Sequence, residues 1–359
     1  MAKEKYVAYV GTYTHSQKDG LHIYDVDIKK GKLTKRSSIP VSNTSHLTRS
    51  KNNKFLYSIS DAGIESFRIL PDGDLEHLNT GSIRGMRGCY LTITSDDKFI
   101  ACAGYHDGKV TVCRLNEDGS VGEIVSEVFH HGMGSVAEKN FRPHVSCVKF
   151  TPDEQYLCAV DYGLDQVKVY KFDHTTGELD LNDIIRCALD SSPRRMRFTM
   201  DGKFAYILCE SGRKIYTYKY SMGKNGPDFE EIDSVWTVPE EHARGSAASG
   251  LTLSWDGKYI MASNDGENSV ALYKIDHRNG NLEEILNLPV SGHYPKDVCF
   301  FPDDKHIMSM NHESGTLTTL EIDYKEGNLY WKNAPIKLDD PNCAMIVQVP
   351  GEEAESQEA

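Results

Sequence analysis

Short runs of alternating apolar and polar residues, with no sustained helical period, set the pattern of this chain. Gln166-Val167-Lys168-Val169-Tyr170-Lys171 has the two-residue period of a half-buried strand, and Val145-Ser146-Cys147-Val148-Lys149-Phe150 is another strand of the same length. Between such runs one phrase returns: a turn of Asp, Asn or Gly, then Lys or Gln, a ring, and a short apolar strand. It reads Asn52-Asn53-Lys54-Phe55, Asp96-Asp97-Lys98-Phe99, Asp153-Glu154-Gln155-Tyr156, Asp201-Gly202-Lys203-Phe204, Asp256-Gly257-Lys258-Tyr259 and Asp303-Asp304-Lys305-His306. A further strand, Lys5-Tyr6-Val7-Ala8-Tyr9-Val10, opens the chain without its turn. The anchor rings, from Tyr6 to His306, fall roughly 50 residues apart, the length of a unit of four short strands.

Order within a unit is constant. An inner strand leads into the turn, the anchored strand follows, and a third strand ends in a hairpin such as Asp118-Gly119-Ser120-Val121 or Asn279-Gly280-Asn281-Leu282. The expected fold is all-β: a seven-bladed β-propeller of four-stranded antiparallel blades over residues 1–350, with an acidic, disordered tail over 351–359. The first unit lacks an inner strand, and Cys343-Ala344-Met345-Ile346-Val347-Gln348-Val349 can supply it, closing the ring and removing an exposed sheet edge. The same propensities also suit an array of β-sandwiches. Trp255-Asp256 lies in a turn and is poor support for a WD-type repeat.

The net charge of −13 repels nucleic acid and anionic membranes, while leaving room for a small anion wherever basic side chains converge. No apolar run approaches the roughly 20 residues of a membrane span, and Met1-Ala2-Lys3-Glu4-Lys5 carries no signal-peptide core, so a cytoplasmic location is expected. The nine cysteines are scattered singly, without C-x-x-C. Neither a disulfide framework nor a zinc site is indicated, and Cys102, Cys158, Cys209 and Cys299 read as small buried hydrophobes. His130-His131 and His144 match no metal-ligand spacing. No metal and no cofactor are expected.

In a propeller, the starts of the inner strands and the ends of the second strands meet at one mouth of the central channel. The inner strands bring His46, Tyr90, His144, Arg194, Arg195, Lys296 and Asn342. The second strands bring Tyr13, Asp61, His106, Asp161, Glu210, Asn264, Asp265, Asn311 and His312.

Several motifs at these places resemble the lactonase family of seven-bladed propellers, which holds the propeller-type 6-phosphogluconolactonases and the 3-carboxymuconate-lactonizing enzymes. The resemblance runs from about residue 6 to 349. It is carried by Tyr9-Val10-Gly11-Thr12-Tyr13-Thr14, the His131-Gly132 to Ser135 loop, Arg142-Pro143-His144, Val160-Asp161-Tyr162-Gly163-Leu164-Asp165, Ser192-Pro193-Arg194-Arg195-Met196-Arg197-Phe198, and Glu210. Three places depart from the family pattern: Ser146 where a second histidine is frequent, Arg195 in place of the histidine of Pro-Arg-His, and Asp265 where an arginine commonly follows Ser-Asn.

The resemblance implies hydrolysis of a sugar lactone, most simply 6-phosphoglucono-1,5-lactone. That reaction needs a base for water, a donor for the developing oxyanion and a clamp for the anionic tail. His144 is the expected base, Arg194 the oxyanion or phosphate partner, and Glu210 the group that orients them. Arg195, Lys296, Asp161, Asn264 and His312 are the expected substrate contacts. Partners are expected to be limited to this small anionic substrate, in a monomer or weak homo-oligomer. Two other readings remain open: a non-catalytic interaction propeller, and a muconate-type cycloisomerase. The second suffers from the negative charge of Asp265 where a polycarboxylate would need a cation.

Overall fold

A computed structural model describes residues 5–15, 18–134 and 142–349, so the expected tail over 351–359 and Ser135 of the His131 loop lie outside the described residues. Seven sheets form the ring. The inner strands of blades one to six are Leu47–Arg49, Tyr90–Ile93, Val145–Phe150, Pro193–Phe198, Ala247–Leu253 and Pro295–Phe300. Blade seven is shared between the two ends of the chain. Pro341–Val349 pairs antiparallel with Lys5–Thr12, Tyr9 lying opposite Met345, and supplies the inner strand the N-terminal unit lacks. Neighbouring inner strands touch around the whole circle, so the propeller closes as the repeat predicts.

One blade is irregular. The outer edge of blade six is two pieces, Asn328–Trp331 and Ile336–Lys337, both on Thr316–Asp323. Pro335 lies in the gap and has no N–H to give to a ladder.

The physical basis of the repeat is a turn and a lock at one end of the blades. In five blades a hydroxyl residue opens the turn and accepts the backbone N–H of the anchor. The bonds are Phe55 to Ser50 at 2.9 Å, Phe99 to Thr94 at 3.1 Å, Tyr156 to Thr151 at 3.2 Å, Phe204 to Thr199 at 3.1 Å and Tyr259 to Ser254 at 2.9 Å. Each hydroxyl donates in turn to the Asn or Asp two residues on. In blade six Phe301 replaces the hydroxyl, and Asp303 does its work by accepting both the N–H (3.1 Å) and Nδ1 (2.7 Å) of His306.

The anchor ring is then covered by the hairpin glycine of the next blade. A Cβ on Gly119 would stand 2.3 Å from the Phe55 ring, and one on Gly280 would stand 2.4 Å from the Phe204 ring. Both glycines also hold φ near +80 to +90 (87° and 80°), a conformation L side chains rarely adopt. Gly177 on Phe99 and Gly31 on His306 repeat the contact. The phrase visible in the sequence is therefore half of a blade-to-blade lock.

Cys102, Cys158 and Cys209 are buried as expected, but Cys299 is partly exposed because it lines the central cavity.

Candidate functional site

At the opposite end of the inner strands the ladder is interrupted at one level of the ring. Pairing with the second strand skips Ser146 in blade three, Arg194 in blade four, Lys296 in blade six and Asn342 in blade seven. In blade five it skips across Ser249-Gly250. A β-bulge places its extra residue outside the ladder and re-aims it, and here two of the extra residues are cations. The chain enters two of these bulges through left-handed residues before a proline, Ser192 at φ 53° and Tyr294 at φ 52°. For a bulky tyrosine that conformation is strained and persists only where the surroundings fix it.

His144 stands just before the blade-three strand. Its backbone N–H donates to Asp161 Oδ1 (2.9 Å), and its Nδ1 lies 2.7 Å from the carbonyl oxygen of Tyr105. A carbonyl can only accept, so Nδ1 carries the proton and the neutral ring keeps a lone pair at Nε2. Tyr105 stacks on the imidazole at 4.4 Å and 18°, holding its plane.

Arg194 forms a close ion pair with Glu210 through Nη1, and Tyr162 donates its hydroxyl to the other carboxylate oxygen at 3.1 Å. Burial alone would lower the Arg194 pKa, but Glu210 outweighs it and holds the guanidinium firmly charged. Arg194 Nε is buried and has no hydrogen-bond partner among the described residues. Tyr162 joins the two halves, its ring lying 6.5 Å edge-on from that of His144.

Further cations gather beside this network. Lys296 Nζ lies 4.2 Å from the centroid of the Tyr13 ring, and the Arg87 guanidinium approaches the same ring to 4.9 Å. His312 packs edge-on to both Tyr13 and Tyr294, at 5.6 Å from each. Burial first, and then the nearby charge of Arg194, lowers Lys296 to about 7. Burial and Lys296 keep His312 below the usual histidine range. Arg195 donates to the Ser146 carbonyl at 3.1 Å and lies 4.9 Å over the Tyr90 ring. A surplus of positive charge within a protein of net charge −13 fits an anionic guest.

Two expected substrate contacts do not reach this cluster. Asp161 is completely buried: Oδ1 accepts the N–H groups of His144, Gly163 and Leu164, and Oδ2 pairs with His130 Nδ1 at 2.6 Å. It positions the His144 loop and has no oxygen left for a ligand. Asn264 is likewise fully buried, donating to the Thr237 carbonyl (2.7 Å) and the Ser269 hydroxyl (3.2 Å) as a staple between blades. Asp265 accepts from Gly266 N–H, and no cation stands in its place.

Tyr105, Tyr162, Glu210 and His312 all sit at one offset past their anchors, a signal the sequence did contain. Tyr294 was marked by the proline after it. Arg87 lies in a loop with no repeating offset, and nothing in the sequence pointed to it.

Comparison with known proteins identifies the family and the fold. A family described as lactonase, seven-bladed β-propeller, matches residues 7–346. The 6-phosphogluconolactonase of Bacillus subtilis is 30% identical over 306 residues, covering 84% of this chain and 86% of that protein. The structure of a candidate 6-phosphogluconolactonase from Bacteroides fragilis superposes with a TM-score of 0.87 at 29% identity, covering 96% of this chain and 98% of that one. A periplasmic gluconolactonase from Pseudomonas aeruginosa shares the fold, with a TM-score of 0.90 at 24% identity over 96% of this chain and 100% of that one.

Proposed function

We propose that this chain, which belongs to the lactonase family of seven-bladed β-propellers, hydrolyses a sugar lactone bearing an anionic tail, 6-phosphoglucono-1,5-lactone being the first substrate to test. The observation that carries the reading is the locked imidazole: Nδ1 is committed to the Tyr105 carbonyl, which leaves the other ring nitrogen, Nε2, for substrate, and Tyr162 links the ring to the Arg194–Glu210 pair.

In this reading Nε2 takes a proton from water as the water oxygen attacks the lactone carbonyl carbon. The carbonyl π electrons move to oxygen, and the charged guanidinium of Arg194, held by Glu210, stabilises that oxyanion. When the intermediate collapses, the C–O bond of the ring breaks and the His144 imidazolium returns its proton to the departing alkoxide. The product is a hydroxy acid, and the base is restored. Glu210 and Tyr162 fix the guanidinium so that little reorganisation accompanies charge development. Lys296, Arg195 and Arg87 hold the phosphate, with His312 flanking Lys296. Asp265 leaves no cation for a second carboxylate, which favours hydrolysis over the cycloisomerase reaction.

The test follows disappearance of freshly generated lactone against its spontaneous opening, with phosphorylated and unphosphorylated gluconolactone in parallel. Acceleration is expected for both, with a lower KM for the phosphorylated substrate. A wild-type protein no faster than buffer on either lactone would remove the hydrolase reading and leave the interaction propeller.

A further inference from the structure

Below the cluster, the channel widens into a cavity of about 340 Å³. Its lining takes in His46, Tyr90 and Asp297 at the upper limit but neither Arg194 nor Lys296, so it is distinct from the candidate active site. The strand registers explain its chemistry. Arg197, Lys149, Thr252, Thr92 and Thr48 occupy matching positions on five successive inner strands, each opposite the same step of its second strand. Fold symmetry thus gathers two cations and three hydroxyls in a ring around one space.

These groups are poorly matched by the protein itself. Arg197 uses Nη1 to donate to the Tyr90 hydroxyl at 2.5 Å and to the Met196 carbonyl at 3.0 Å. Its other N–H groups have no acceptor among the described residues, and Lys149 Nζ has neither a hydrogen bond nor an ion pair there. Asp297 is the acidic group of the lining, and the bond its carboxylate makes there is with Val298 N–H at 2.9 Å. The charged and titratable neighbours are His46, Arg49, Lys51, Tyr90 and Asp297. Burial, then Arg195, Arg197 and Lys149, keep His46 well below the usual histidine range, so it is neutral. Burial and Arg197 together bring Lys149 down to about 8, the mark of a cation short of a counter-charge. The lining carries four basic side chains, Arg49, Lys51, Lys149 and Arg197, against one carboxylate, Asp297, and such an excess of cations in a confined space is costly unless an anion is bound.

We infer that this lower chamber is a second binding site, specific for a small phosphate-type oxyanion held by Lys149, Arg197 and the threonine hydroxyls. The volume lies at the low end of the roughly 300–1,000 Å³ range of small-molecule pockets, enough for a phosphate group with waters or a short chain attached. Planar Arg197 and the point charge of Lys149 are the usual pair for such a group. The site does not depend on catalysis at the upper mouth.

Isothermal titration with inorganic phosphate, at pH 7 and constant ionic strength, tests this on four proteins: wild type, an upper-site variant (Arg194→Gln with Lys296→Met), Lys149→Met, and Thr92→Val with Thr252→Val. The upper-site variant should retain a phosphate site that wild type shows. Lys149→Met should weaken that site about tenfold or more, with Lys149→Arg restoring most of it, and the threonine pair should weaken it less. Should Lys149→Met not fold, Lys149→Arg and the threonine variant carry the test. Repeating the titration with 6-phosphogluconate separates the two sources of the group: tighter binding than phosphate marks a product-type acid, equal or weaker binding the free ion. Absence of phosphate binding by wild type at millimolar concentration, its complete loss in the upper-site variant, or its persistence unchanged in both lower-chamber variants would overturn the assignment.

Discussion

The two ends of the blades obey different rules. At the turn end the blades solve one problem in nearly the same way: in six of them a hydroxyl or Asp ties the turn, and four anchor rings receive the next blade's glycine. At the mouth the same offset in successive blades carries Asp61, Tyr105, Tyr162, Glu210, Asp265 and His312, six positions with four residue types. Repetition marks where the ring is held together, and divergence marks where the proposed site lies. A propeller shows both because its symmetry supplies equivalent places and only the side chains differ.

That contrast can be broken from either side. Replacing His144 by Ala should lower lactone hydrolysis by about 10²–10⁴-fold, the usual contribution of a general base. Glu210→Gln, which keeps shape but releases Arg194, should lower kcat by roughly 10–10²-fold with little change in KM. The thermal unfolding midpoint of His144→Ala should stay near wild type, since it does not touch the turn end, whereas Glu210→Gln should lower it because Arg194 loses its counter-charge.

Gly280→Val attacks the other end. Its branched side chain would meet the Phe204 ring and force a β-branched residue to positive φ, costing on the order of 2–4 kcal/mol. The folded fraction should retain wild-type kcat in an assay normalised to native protein. Thr151→Val, which strips one turn of its hydroxyl, should cost about 1–2 kcal/mol in urea unfolding and again leave turnover unchanged.

The smallest effect concerns pH. Lys296 sits at about 7 in the free protein, and a bound anion favours its charged form. Affinity for sulfate, whose own charge is constant from pH 6 to 9, should therefore be highest below pH 7 and fall as pH rises through it. Lys296→Arg, with a cation that does not titrate there, should flatten the profile.

The fold was legible because its signal is repeated. Seven anchors at a near-constant spacing, and a spare strand at the end of the chain, suffice to define a closed ring. His144, Arg194, Glu210, Lys296 and His312 were legible for a related reason, since ring symmetry sends equivalent positions to one mouth. The failures are failures of parity. Asp161 ends its strand immediately before Tyr162, Asn264 is the next-to-last residue of Tyr259–Asp265, and successive strand residues face opposite ways. Choosing Asp161 in place of Tyr162 thus exchanged a buried staple for a member of the site. The lower chamber was hidden because Lys149, Arg197 and the three threonines each look ordinary within their own strand. Only the registers of five blades bring them to one level.

The most direct test of this division is the rate of hydrolysis of freshly generated 6-phosphogluconolactone by wild type, His144→Ala, Arg194→Ala and Thr151→Val, each first shown to be folded. A clear acceleration over buffer is expected for wild type and Thr151→Val, with its loss in the two mouth variants. Equal acceleration by all four proteins, or none by the wild type, would contradict it.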